Sequence, residues 1–136
     1  GSVLDPVLLL PQTALTDKEQ ILAQLAELLT QSGYVRSDFL DGVLEREEMG
    51  PAVLGGQMAI PHADPTRVRR PGIAVAVLER PIPWGFGMAV DVVCMAALTA
   101  DAGNLVLELN EVAGQPARME RLRQAKTKQA LLEAFQ

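Results

Sequence analysis

The stretch AIPHAD, Ala59 to Asp64, holds the only histidine in a chain of 136 residues. A neutral imidazole is nucleophilic near pH 7, so His62 is the candidate to bond an electrophile such as a phosphoryl group. Arg46, in the charged run EREE from Glu45 to Glu48, offers a fixed fork of donors that suits phosphoryl oxygens. Such a pair at about 4 Å contributes roughly 4 kcal/mol at an effective dielectric of about 20. The alternative for Arg46 is an ordinary helix-end arginine paired with Glu47 or Glu48. Gly55 and Gly56, in the segment LGG, give closely approaching backbone whose N–H groups can line an anion site. Asp64 either orients the imidazole through its other nitrogen or starts an Asp-Pro turn with Pro65.

Other chemistry is poorly supplied. Cys94 lies in the apolar run VDVVCMAAL, Val90 to Leu98, and reads as an inert buried thiol. A Cys–His hydrolase would need a reactive thiolate there. One histidine and one cysteine leave too few good ligands for zinc, and no metal site is expected. Arg67, Arg69 and Arg70 form a local basic patch that either faces a phosphorylated partner or is a solvated loop.

The elements that must position these residues follow from spacing. TDKE, Thr16 to Glu19, predicts a helix start with a capping box, followed by Ile21, Leu22, Leu25, Leu28 and Leu29 at helical spacing and a stop at Gly33. A second, shorter helix is predicted after Ser37, with Phe39, Leu40, Val43 and Leu44 on one side, and MGPAVLGG then breaks regular structure. QMAI, IAVAVL (Ile73 to Leu78) and VDVVCMAAL read as buried strands, covered on both faces because they are almost continuously apolar. Pro61 ends the first of these, which puts His62 just past a strand end. RPIPW, Arg80 to Trp84, reads as a structural turn whose tryptophan covers a sheet edge. In the last third, Asp101 is expected to cap a helix through Val112, ARMERLRQA to form a short amphipathic piece, and Thr127 to cap KQALLEAF. Helices, then strands, then helices predict an α/β sandwich around a central sheet.

Composition bounds the class. A chain of this length with 49% hydrophobic residues fits one domain with a substantial core. Its net charge of −5 and pI near 4.8 argue against direct nucleic-acid contact and for small-molecule or protein partners. No apolar run is long enough to span a bilayer, and no signal peptide opens the chain, so a soluble cytoplasmic domain that is not membrane-embedded is expected. Gly1 and Ser2 read as residues foreign to the native chain, with the domain spanning residues 3–136.

The series EREE, LGGQMAIPHA, VRRPGIAVAVLERPIPW and VDVVCMAALTA resembles the mannitol/fructose-type (type 2) enzyme IIA domains of the bacterial phosphoenolpyruvate-dependent sugar phosphotransferase system. Glu47, Leu54, Gly55, Met58, Ala59, Ile60, Pro61, His62 and Ala63 match the family signature in order, and the likeness runs nearly the whole length. Its PHADP variant looks nearer the galactitol and ascorbate branch and related regulator domains. The resemblance implies an α/β sandwich around a mixed sheet with helices on both faces, and no metal or organic cofactor. It also implies a phosphotransferase reaction in which His62 accepts a phosphoryl group from phospho-HPr and passes it to a IIB domain, with Arg46 holding the phosphoryl group. Where the family commonly has a second histidine, in a HL pair, this chain has Asn104 and Leu105. Asparagine can donate a hydrogen bond but cannot become cationic or shuttle a proton. That departure supports two alternatives: a IIA-like domain fused to or working with a transcriptional regulator, switched by His62 phosphorylation, and an interaction module that has lost phosphotransfer.

Overall fold

Two long strands organise the sheet. In the computed structural model, which describes residues 4–136, β4 (Gly72–Gly85) and β5 (Met88–Ala97) pair antiparallel. Gly85, Phe86 and Gly87 all have positive φ in the tight turn between them, a conformation that suits the two glycines. β1 (Leu9–Thr13) lies parallel to the free side of β4, and β3 (Met58–Ala59) parallel to the free side of β5. β2 (Val53–Leu54) pairs antiparallel with β3, which completes a mixed sheet in the order β1-β4-β5-β3-β2. The reading of Gly1 and Ser2 as foreign residues lies outside the described residues.

Both faces of the sheet are covered, which is why β4 and β5 lack polar alternation. α1 (Lys18–Gln31) and α2 (Phe39–Glu48) cover the face carrying Ala74, Ala76, Val93 and Met95. α3 (Gly103–Ala113), α4 (Pro116–Gln124) and α5 (Lys128–Ala134) cover the face carrying Ile73, Val75, Val77, Val92 and Cys94. α1 buries Ile21, Leu22, Leu25, Ala26 and Leu29, and each leucine of that stripe contributes roughly 2 kcal/mol through burial. It stops at Gly33, whose φ is +81°, where the Tyr34 N–H donates to the Leu29 carbonyl at 2.9 Å and the Gly33 N–H to Thr30 at 3.2 Å. That crossed pair is a Schellman ending. α5 starts as expected, with the Thr127 hydroxyl accepting from the Ala130 N–H at 3.0 Å.

Several expectations are corrected. α1 begins at Lys18 with Asp17 as N-cap and no side-chain cap, so Thr16 and Glu19 form no capping box. A tertiary anchor holds the first turn instead: the Lys18 ammonium donates to the Trp84 carbonyl at 2.9 Å and pairs with Glu47 at 2.9 Å. Asp101 does not cap α3, because its carboxylate accepts from the Thr99 hydroxyl at 2.7 Å and Ala102 takes the N-cap place. RPIPW is no turn, since β4 runs on through it. Pro81 and Pro83 are tolerated there because β1 pairs with β4 only as far as Leu78, which leaves the later segment paired on one side. Trp84 is fully buried in the core under α1 and covers no edge. Spacing in the sequence predicts neither β1 nor β2: Pro11 hides one as an edge strand, and two residues give the other no periodicity. No helix among the described residues is long and apolar enough to cross a membrane.

Candidate functional site

His62 is held by strand register past the nominal end of a strand. β3 pairs with β5 as Met58 with Val92 and Ala59 with Val93, and His62 with Ala96 continues the same parallel register. The Ala96 N–H donates to the Pro61 carbonyl at 2.9 Å, so the missing N–H of Pro61 costs no rung on this side. The imidazole Nδ1 lies 2.9 Å from the Ile60 carbonyl oxygen. A carbonyl only accepts, so Nδ1 carries the proton and the neutral ring keeps its lone pair on Nε2. The chain's own backbone thus selects the tautomer with a nucleophilic Nε2.

A cavity of about 470 Å³ opens beside the ring. One wall is the face of α2 that presents Gly42, Glu45, Arg46 and Met49, a spacing that places them on adjacent turns. Asp64 and Pro65 from the loop after His62 form a second wall, and Thr99, Ala102, Gly103 and Val106 a third. α3 starts at this third wall with Ala102 as N-cap and no side-chain cap, so the positive end of the helix lies at the cavity. Arg46 is half-buried, and its Nη1 donates to the Gly50 carbonyl at 2.5 Å, which holds the guanidinium at the C-terminal end of α2.

The structure brings His62, Arg46 and Asp64 to this cavity and leaves the other expected residues outside it. Asp64 does not orient the imidazole. Its carboxylate accepts from the Thr66 hydroxyl and from Arg67 Nε at 3.2 Å, while Nδ1 of His62 is already taken by Ile60. The Thr66 hydrogen bond, with added help from the hydrogen bond and charge of Arg67, holds the Asp64 carboxyl below the usual carboxylate range although desolvation opposes it. The Asp-Pro turn is the reading that holds, with the Arg67 N–H donating to the Asp64 carbonyl at 3.2 Å. Gly55 and Gly56 line no part of the cavity. They precede β3 while His62 follows it, and an extended chain rising about 3.3 Å per residue carries the two ends apart. Gly56 serves packing: its φ is +66°, and a Cβ there would sit 2.8 Å from the Ala113 carbonyl oxygen. Asn104 is exposed on the first turn of α3, beside Gly103 but outside the cavity lining.

Two arginines of the basic patch, Arg67 and Arg70, fasten the loop to the rest of the chain, while Arg69 is exposed. Arg67 Nη1 donates to the Asp38 carbonyl at 2.8 Å, and Arg70 lies 3.9 Å over the Tyr34 ring and donates to the Ser32 carbonyl at 2.9 Å. Cys94 is fully buried, and burial pushes its thiol up to about 12, as an inert core cysteine requires. Sequence reasoning missed Gly42, Glu45 and Met49 as cavity residues. Their spacing on the helix of Arg46 was the available signal. Glu47, part of the signature, is buried and faces away from the cavity towards Lys18.

Residues 2–136 match the family model described as Phosphoenolpyruvate-dependent sugar phosphotransferase system, EIIA 2. The chain is 31% identical over 121 residues to the Transcriptional regulator ManR of Bacillus subtilis, covering 86% of this chain and 18% of that protein. It is 30% identical over 125 residues to the Multiphosphoryl transfer protein of Salmonella typhi, covering 89% of this chain and 33% of that one. The chain therefore spans a third or less of the length of these curated relatives. Among solved structures, the complex of enzyme IIA and phosphorylated enzyme IIB for mannitol from Escherichia coli shares the fold, with a TM-score of 0.88, 20% identity, and coverage of 97% of this chain and 96% of that one.

Proposed function

Because the chain belongs to the EIIA 2 family of the phosphoenolpyruvate-dependent sugar phosphotransferase system, we propose that residues 3–136 are a cytoplasmic phosphoryl carrier domain. His62 accepts a phosphoryl group from the phosphohistidine of HPr and passes it to a IIB domain. The observation that supports this best is the Nδ1–H bond to Ile60, which leaves Nε2 unprotonated at a cavity that also holds Arg46. Nε2 attacks phosphorus as the N–P bond of the donor histidine breaks, and the donor imidazole leaves with that electron pair. The His62 ring gains positive charge in this step, and its Nδ1–H bond to the Ile60 carbonyl becomes charge-assisted. Arg46 and the N–H groups at the start of α3 offset the charge on the three oxygens. Transfer to a IIB domain reverses these steps, and the complex formed by the Escherichia coli fold neighbour supports such a recipient.

A second reading is favoured by the likeness to ManR and to the Probable licABCH operon regulator of the same organism: the same phosphorylation would switch a neighbouring regulatory domain. Both readings need His62 as acceptor. Intact-mass analysis after incubation with phosphoenolpyruvate, enzyme I and HPr is expected to show one acid-labile phosphoryl adduct on the wild type and none on His62→Ala. An adduct that persists in His62→Ala, or a wild type left unlabelled by phosphorylated HPr from a matching source, would sink the proposal.

A further inference from the structure

Two of the cavity walls beside His62 carry carboxylates, which is the wrong charge for a site that holds a phosphoryl dianion. Glu45 comes from α2 and Asp64 from the loop after the histidine. Both are gathered by one guanidinium that is not itself part of the cavity lining. Arg67 Nε lies 3.2 Å from Asp64 Oδ2, and its Nη2 lies 3.9 Å from Glu45 Oε2. A third carboxylate, Asp38 at the start of α2, is 3.5 Å from Nη1, and the Asp38 carbonyl accepts from the same nitrogen at 2.8 Å.

The approach that makes this possible is built into the backbone. A Cβ on Gly42 would sit 2.7 Å from Arg67 Cδ, 2.9 Å from Arg67 Nε and 2.9 Å from Ala63 Cβ. The arginine stem therefore lies across α2 where only glycine leaves room, one turn from Arg46. The Arg67 carbonyl accepts from the Arg36 N–H at 2.9 Å, which fixes the base of the side chain as well.

We propose that Arg67 is a positioning residue for phosphoryl transfer: it fastens Asp64 and Glu45 and keeps two cavity-wall carboxylates from opposing a phosphoryl dianion on His62. The inference rests on the acceptor role of His62 argued above. In this chain the clamp on the phosphoryl oxygens is Arg46, and the charge balance around it is set by an arginine that need not touch the substrate. Arg67 also ties α2, which carries Arg46, to the loop after His62.

The test uses the full chain with phosphorylated HPr, reading initial phosphorylation rate, phosphohistidine lifetime and melting temperature. Arg67→Gln is expected to slow phosphorylation roughly tenfold and shorten the lifetime, and the gap should narrow in about 1 M salt, where exposed charges are screened. Adding Glu45→Gln and Asp64→Asn to Arg67→Gln is expected to restore most of the rate, because the uncompensated charges are then gone. With Arg67 intact, Glu45→Gln with Asp64→Asn should raise the rate severalfold, a reading that holds even if Arg67→Gln does not fold. A wild type that is never labelled refutes the acceptor role and with it this inference. A labelled wild type with Arg67→Gln equally fast, with no rescue in the triple variant, or with no change in Glu45→Gln/Asp64→Asn, overturns the role of Arg67 alone.

Discussion

At the scale of single residues, the tautomer of His62 matters more than its exposure. Its Nδ1 proton is committed to Ile60, a backbone partner two residues back, so no acidic side chain is needed to orient the ring. This explains why Asp64 is free to bond Thr66 and Arg67 instead. Among the described residues, Arg46 is the one lysine or arginine that lines the cavity. Arg46→Gln is expected to lower the phosphorylation rate about a hundredfold, the usual cost of removing one donor from a developing oxyanion. Its melting temperature should stay near that of the wild type, because the half-buried side chain makes a single hydrogen bond, to the Gly50 carbonyl, among the described residues. Rapid-quench labelling with phosphorylated HPr measures the first and a thermal melt the second.

At the scale of elements, β5 does two separate jobs. Its residues Val92, Val93 and Ala96 template the register that carries the chain through Pro61 to His62. Cys94, between them, points into the core formed with α3, α4 and α5. Since folding raises its thiol from 9.0 to about 12, the neutral form is favoured in the folded state. That contribution to stability is complete below about pH 9 and is lost progressively as pH rises towards 12, because the unfolded chain ionises first. Cys94 is therefore expected to resist alkylation at pH 8 in the folded protein and to react within minutes in concentrated urea. Rapid alkylation of the folded chain would show that β5 opens locally. α2 likewise divides its faces, with Glu47 turned to Lys18 under α1 and Arg46 turned to the cavity.

At the scale of the whole molecule, two straps join parts that are distant in sequence. Lys18 links α1 to Glu47 of α2 and to the Trp84 carbonyl of β4. Arg123 of α4 pairs with Asp91 of β5 at 2.7 and 3.2 Å and donates to the Gly56 carbonyl at 2.6 Å, ahead of β3. The Asp91 side chain is 10% exposed, so removing its partner strands a buried charge. Arg123→Met is expected to cost about 3 kcal/mol in urea unfolding, while Arg123→Met with Asp91→Asn should recover much of that loss. Phosphorylation of the folded variants should be unchanged, because this strap lies at the opposite end of β3 from His62. A single variant as stable as the wild type would mean that the pair contributes nothing net.

Much of this protein was legible in local sequence. The helical stripe of α1, its glycine stop, the threonine cap of α5 and the two apolar central strands depend on spacing and on neighbours a few residues away. His62 and Arg46, which share one cavity, were legible for a similar reason, as unusual residue types beside breaks in regular structure. Tertiary structure decided what depends on partners far along the chain. Pro11 and Pro83 became strand residues because each lies where one side of the sheet is open. Lys18 overrode a local capping box through a contact with Trp84, and Arg67 left a solvated loop for carboxylates on α2. The glycines before β3 separated from the histidine after it because a strand is extended. Local pattern determines an element, but which side chains share a cavity depends on how the sheet spaces its ends.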